Sequence, residues 1–293
     1  MSKLFSLFSA VATAAVFVSG AYAGTTIDRI KENKAVSIGY REASIPFSYL
    51  DDEQKPVGFS LDLCFSLVKR LETDLGLKLA VNLVPVNSSS RIPLIQNGTI
   101  DIECGSTSSS KKRLEQVMFS VSTFAGQSSW LTMASSGLKS AADLKGKTVV
   151  VTQGSNAVGI ALGISQKEGL GLNILQGKDH AESLLILTTG RAAAFMEDDI
   201  LLAGLKAQSV KPLVFLPDQY DKVYYGLMFS KDDADFRKTV NDVLSKLMAS
   251  GDFTKLYDKW FISPVPPKNI NLDFPMNNAL KERVAKPSDV VDY

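Results

Sequence analysis

The residues best suited to chemistry are hydroxyls and cations gathered at two turns. Ser88, Ser89 and Ser90 run into Arg91, while Gly105, Ser106, Thr107, Ser108, Ser109 and Ser110 run into Lys111, Lys112 and Arg113. Each stretch falls where a strand-like segment gives way to a helix-like one. Free backbone N–H groups at a helix N-terminus, with serine hydroxyls beside them, favour an anion, and an arginine adds a planar fork of donors that fits a carboxylate. Two such places suit a molecule with two carboxylates. Either stretch taken alone is more commonly a set of helix caps followed by solvated surface charge. Spacing leaves both readings open.

Little other chemistry competes. The chain has one histidine, His180, so a Ser-His-Asp triad or a two-histidine metal site would have to be built around it. A lone histidine is more often structural than catalytic. A Walker-type phosphate loop, GxGxxG, GxSxG, HExxH and paired CxxC motifs are all missing from the sequence. Neither a metal nor a cofactor is expected. Cys64 and Cys104 lack metal-ligand spacing; a single disulfide and two small buried hydrophobes are both open readings.

The elements that must position these groups alternate between strand and helix. Ala35–Tyr40 reads as a strand, and Leu61, Cys64, Phe65, Val68 and Leu71 share one face of a helix. A strand over 79–86, a short helix from Arg91 to Gln96 and a strand over 99–104 follow. A second unit opens with the β-branched run Thr148–Thr152, and Gly154, Ser155 and Asn156 lead into a helix through Leu162. It continues with a strand at 174–176, a helix over 182–189, a strand over 192–196, Asp198 and Asp199 opening a helix, and a strand at 214–216. Phe236, Val240, Val243, Leu244, Leu247 and Met248 recur at helical spacing behind Asp232 and Asp233, an N-terminal charge that suits the helix dipole. The alternation predicts an α/β protein with crossover connections. Pro264, Pro266 and Pro267 predict a tail that crosses the surface in extended form.

The N-terminus carries Lys3, an apolar run over 4–18 and the small-x-small triplet Ala21, Tyr22, Ala23, which is the pattern of a cleavable signal peptide spanning 1–23. That run is shorter than the roughly 20 residues a spanning helix needs. No cysteine follows the cleavage point, so a soluble periplasmic protein starting at Gly24 is expected. The formal net charge of +1 becomes zero when Lys3 is removed, which leaves no polybasic footprint for nucleic acid.

Six segments together resemble a known family. They are Ile45-Pro-Phe-Ser-Tyr49, Gly58-Phe-Ser-Leu-Asp62, Arg91-Ile-Pro-Leu-Ile-Gln-Asn-Gly98, Asp101-Ile-Glu-Cys-Gly-Ser-Thr107, Asp143-Leu-Lys-Gly-Lys147 and Tyr257-Asp-Lys-Trp-Phe261. In order and spacing they are similar to the periplasmic solute-binding proteins, family 3, which feed polar amino acids to ABC transporters, and within them to the glutamate/aspartate-binding branch.

The resemblance implies a two-lobed α/β fold of the periplasmic-binding-protein type II class, each lobe a mixed sheet flanked by helices. It places the first part of lobe 1 at 24–122, hinges at 123–127 and 223–227, lobe 2 at 128–222, the rest of lobe 1 at 228–263 and an extension at 264–293. It implies an α-carboxylate site made by Arg113, Ser108 and the turn of Gly154, Ser155 and Asn156, and an α-ammonium site made by Asp198 and the Ser106 backbone. Arg41, Ser88, Arg91 and His180 would surround a side-chain carboxylate.

Arg41 is the telling position. Glutamine-binding relatives are implied to carry an acid there, and an amide offers donors where a carboxylate offers only acceptors. The chain departs from the branch at Ser108, where threonine is expected, and at Ser155 and Asn156, which replace a pair of threonines. Arg41, Arg91 and Arg113 set against Asp198 leave two surplus positive charges for a ligand with one net negative. L-glutamate or L-aspartate, an inner-membrane ABC permease and a monomeric, non-enzymatic receptor are the implied ligand, partner and state. The same fold also resembles periplasmic dehydratases acting on cyclic acids such as prephenate, the alternative reading.

Overall fold

In the computed structural model, which describes residues 25–267 and 269–291, two five-stranded sheets divide most of the strands between them. The expected leader 1–23 lies outside the described residues. In chain order the strands are β1 (Ala35–Tyr40), β2 (Ala43–Ser44), β3 (Ser48–Leu50), β4 (Pro56–Val57), β5 (Ala80–Pro85), β6 (Ile102–Glu103) and β7 (Val117–Phe119). They continue as β8 (Phe124–Met133), β9 (Thr148–Thr152), β10 (Asn173–Gly177), β11 (Ala194–Asp198), β12 (Leu213–Tyr225) and β13 (Met228–Ser230).

The first sheet runs β5-β1-β6-β13-β7 and the second β10-β9-β11-β8-β12, while β2, β3 and β4 form a small antiparallel sheet. Both large sheets are mixed. β1 is parallel to β5 and β6, with β13 antiparallel to β6 and β7. β9 is parallel to β10 and β11, with β8 antiparallel to β11 and β12. The chain leaves the first sheet after β7, builds the second from β8 to β12, and returns as β13. Each sheet with its helices is one lobe of the expected α/β architecture. Strand order in both sheets reverses beside the first βα turn, and at such points the loops after the strands open a crevice.

Some elements differ from the sequence expectation. β8 was not anticipated: its sequence, with Gly126, Gln127, Ser128 and Ser129, lacks alternation because nearly every residue on both faces is buried. Pairing with β8 carries β11 two residues past the expected end, as Glu197 faces Ser129 and Asp198 faces Ser128 across the ladder. β12 is much longer than the expected 214–216; Pro217 and two register shifts interrupt its remainder and remove the regular pattern of a strand there. The tail is not wholly extended. The Asn277 side chain accepts from the Leu280 N–H and caps a helix, Asn278–Ala285, that buries Leu280 completely.

The two crossing strands are anchored in the core of lobe 1. The Phe47 ring lies 5.1 Å from Phe124 of β8 and 5.0 Å from Tyr225 of β12, and Phe124 stacks on Phe261 at 5.6 Å. Such aromatic pairs fix the crossings through geometry as well as burial. Cys64 and Cys104, whose state the sequence left open, form a disulfide across a separation of 40 residues. Closing a loop of that length removes chain entropy worth about 4 kcal/mol from the unfolded state. The bond ties the helix Phe59–Leu75 to the end of β6, where the turn through Gly105 and Ser106 begins.

Candidate functional site

Lobe 1 contributes a buried cationic wall. Arg41 follows β1 and Arg91 opens the helix Arg91–Gln96; each is only 2% exposed. Arg91 Nη1 donates to Thr107 Oγ1, and the Thr107 hydroxyl donates in turn to Glu103 Oε2 at 2.7 Å. Glu103 is itself fully buried and lies 3.9 Å from Arg91. Gly105 leaves room for this packing: a Cβ there would meet Glu103 Oε1 at 2.1 Å and Arg41 Cγ at 2.8 Å. Arg113 is held within its own turn, its Nη1 donating to the Ser108 carbonyl at 2.7 Å and the Ser108 hydroxyl at 2.9 Å.

Lobe 2 presents a facing wall from the C-terminal ends of β9 and β11. Asp198 accepts from Ser128 Oγ at 2.9 Å and from the Tyr225 hydroxyl. His180, at the start of the helix His180–Thr188, places Nδ1 2.9 Å from Thr152 Oγ1 and 3.6 Å from Glu197 Oε2. The lobes touch directly. Arg113 Nη2 donates to the Gly154 carbonyl at 3.0 Å, Asn156 Nδ2 donates to Ser108 Oγ at 2.7 Å, and Ser89 Oγ donates to the Gln153 carbonyl at 3.3 Å. The contacts bring nine of the ten residues singled out from the sequence to one cleft between the sheets, Arg41, Ser88, Arg91, Ser108 and Arg113 from one side and Ser155, Asn156, His180 and Asp198 from the other, while Ser106 is buried in the turn beside Gly105.

Six buried side-chain atoms of these residues make no hydrogen bond among the described residues: Arg41 Nη1, Ser88 Oγ, Arg91 Nε, Ser106 Oγ, Ser155 Oγ and His180 Nε2. An unpaired buried polar group costs about 1–3 kcal/mol, so a fold that gathers several at one place does so for something that pairs them. Burial lowers the Arg41 guanidinium to about 10, with Arg91 adding repulsion, and lowers Arg113 to about 9 for the same two reasons. Burial also holds His180 well below its ordinary range, helped by the charges of Arg41 and Arg91. Burial raises Asp198 and, together with the Asp198 charge, pushes Glu197 up to about 8.

The count of two surplus positive charges needs correction, because Glu103 and Glu197 line the same cleft; three arginines face three carboxyl groups. A cavity of about 630 Å³ lies elsewhere, between the helix Asp199–Gln208, β12 and the tail near Phe274, and includes none of the ten residues. A smaller one of about 290 Å³ opens beside Arg41, lined by Asn87 and Ser90 from lobe 1 and Lys178 and Asp179 from lobe 2. Among the described residues no group of three or more His, Cys, Asp or Glu side chains is placed to hold a metal ion, and no helix is long and apolar enough to cross a membrane.

Residues 36–263 match the bacterial extracellular solute-binding proteins, family 3. The chain belongs to that family. This family 3 protein is 43% identical over 270 residues to the L-glutamate/L-aspartate-binding protein of Pseudomonas aeruginosa, covering 90% of this chain and 89% of that one. It is 40% identical over 272 residues to the glutamate/aspartate import solute-binding protein of Salmonella typhimurium, covering 91% and 89% of the two chains. Among solved structures, an ancestral amino acid-binding protein that is a precursor of cyclohexadienyl dehydratase aligns with a TM-score of 0.70 and 26% identity, over 80% of this chain and 99% of that one.

Sequence reasoning missed the groups behind the walls of this solute-binding protein's cleft, Glu103, Ser128, Thr152, Glu197 and Tyr225, and named Thr107 only as one hydroxyl of its turn. One signal was present. Glu103 lies between the apolar Ile102 and Cys104, where a charge needs a reason, and Glu197 directly follows the apolar run Ala192–Met196.

Proposed function

We propose that this chain is the periplasmic substrate-binding component of an ABC transporter for acidic amino acids, L-glutamate or L-aspartate, which it holds by closing two lobes. One observation carries this reading: Arg41, Arg91 and His180 converge fully buried with donor-capable nitrogens unpaired. The side-chain carboxylate would pair them together with Ser88. Arg113, Ser108 and the turn of Ser155 and Asn156 would take the α-carboxylate, and Asp198 with the Ser106 backbone the α-ammonium. Relatives at 40% and 43% identity are binding and import proteins, which supports a receptor over the dehydratase alternative.

Lobe 1 is assigned to 24–122 and 228–263, lobe 2 to 128–222, hinges to 123–127 and 223–227, and an extension to 264–293. Export would use the leader 1–23, and the closed monomer would be the form a permease recognises. A ligand touching both walls favours closure because only the closed arrangement makes every contact. Calorimetry with L-glutamate, L-aspartate and L-glutamine is expected to show tight binding of at least one acid and weak binding of the amide. Equal affinity for glutamine would overturn the reading.

Closure can be tested at Gly154. Its φ is +76°, and a Cβ there would lie 2.8 Å from the Ser88 carbonyl group of the opposite lobe. The left-handed strain of an alanine costs ~1–2 kcal/mol in any lobe arrangement, whereas the collision exists only when the lobes meet. Gly154→Ala is expected to weaken the acidic ligand by at least ~10-fold while the unfolding midpoint falls by only ~3–6 °C. A stability loss with unchanged affinity would show that the lobes close without this contact.

A further inference from the structure

Glu197 accepts from the Asp198 N–H at Oε1, 3.3 Å away, while its buried Oε2 makes no hydrogen bond among the described residues. It sits 3% exposed at the end of β11, and among the described residues no arginine or lysine forms an ion pair with it. The charged and titratable groups facing it are Asp198 on its own strand, His180 from the adjoining helix, Arg41, Arg91 and Arg113 from lobe 1, and Tyr225 from β12. The nearest is His180, whose Nδ1 lies 3.6 Å from Glu197 Oε2, while Nε2 is buried and unpartnered. A shift of ~0.5 Å would make the first contact a hydrogen bond.

We propose that Glu197 is a positioning residue that holds one proton jointly with His180 and so keeps His180 Nε2 a donor toward the ligand's side-chain carboxylate. The inference rests on the acidic amino-acid reading above. A neutral imidazole has one donor and one acceptor nitrogen. With a proton on Glu197, its O–H faces Nδ1 as acceptor and the ring hydrogen sits on Nε2. If the same proton moves to the ring, the imidazolium again presents Nε2–H and Glu197 is ionised beside it. When the pair loses that proton, ionised Glu197 draws the remaining ring hydrogen to Nδ1, and a bare Nε2 lone pair confronts the ligand carboxylate. The Thr152 hydroxyl, 2.9 Å from Nδ1 and 3.0 Å from Ser183 Oγ, can donate or accept and so does not choose between these states.

Charge points the same way. With Glu103 and Asp198 ionised and one extra proton on the Glu197–His180 pair, the three arginines leave a net charge of +1, opposite to that of the ligand. Without that proton the cleft is neutral. Burial and the adjacent Asp198 push the Glu197 carboxyl up to about 8. A bound anion favours the protonated pair, so binding is full below that pH and weakens as pH rises through it.

The test is calorimetry with L-glutamate and L-aspartate on the full mature chain and on Glu197→Gln. The wild type is expected to lose about fourfold in affinity from about pH 7 to about pH 8.5. The glutamine amide donates to Nδ1 at every pH, so the variant's profile should be flat over that window, whatever its affinity. Wild-type titrations at about pH 8.5 in two buffers of different ionisation heat should show uptake of about three-quarters of a proton per ligand, a measurement that stands even if the variant does not fold. Parallel profiles in the two proteins, or no proton uptake by the wild type, would overturn the inference. Failure of the wild type to bind either acid at neutral pH would instead overturn the acidic amino-acid reading, and this one with it.

Discussion

Alanine at position 113 is expected to abolish binding of acidic amino acids and of glutamine alike, with a loss of at least ~4 kcal/mol, about a thousandfold in Kd. Arg113 donates twice to Ser108 and once across the cleft to the Gly154 carbonyl. In the proposed complex it also takes the α-carboxylate, which every amino acid carries. Charge-assisted hydrogen bonds contribute about 1.5–3 kcal/mol each, so losing two removes most of the affinity of a micromolar site. Folding should tell a different story. Burial and the neighbouring Arg91 already lower this guanidinium to about 9, so the folded protein carries an expensive cation whose removal relieves desolvation and repulsion. The unfolding midpoint of the ligand-free variant should stay within ~3 °C of the wild type. Calorimetry and thermal denaturation on the same preparation test this, and a large fall in both would mean that Arg113 is scaffold.

Much of the fold was legible because its elements obey local rules. The helix from Arg91 to Gln96 and the strand from Thr148 to Thr152 lie where periodicity and β-branching place them. β8 escaped because a strand buried on both faces has no alternation to read, and its glycine, glutamine and serines look like loop. That omission spread. Without β8 as a partner, β11 ends at 196 instead of at Asp198, and Glu197 reads as the edge of a turn instead of a buried acid. The primary polar residues were legible through resemblance, since their neighbours form recognisable segments. The groups behind them were not, because a buried Glu103 held through Thr107 to Arg91 depends on three elements that meet only in the folded chain. The disulfide likewise depends on a helix and a strand end coming together, which separation in sequence does not reveal.

Arg41→Ala is expected to separate acid from amide. Among the described residues Arg41 has no carboxylate in ion-pair contact and its Nη1 is unpartnered, and burial with Arg91 beside it lowers the group to about 10. Such a cation destabilises the empty closed cleft and is repaid only by a ligand that brings a second negative charge. Truncating one member of a buried hydrogen-bonded charge pair costs about 2–5 kcal/mol, so the variant should bind L-glutamate or L-aspartate ~30-fold to several thousandfold more weakly. Glutamine has no charge to offer Arg41 and forces it to stay buried without a counterion, so removing the guanidinium should leave the amide's affinity unchanged or raise it. Selectivity then collapses from both sides, unlike the uniform loss at Arg113. Titration of the two variants with acid and amide under one set of conditions distinguishes the roles. Equal losses for both ligands in both variants would mean that the two arginines act as one carboxylate site, and the discrimination would have to come from Arg91 and His180 alone.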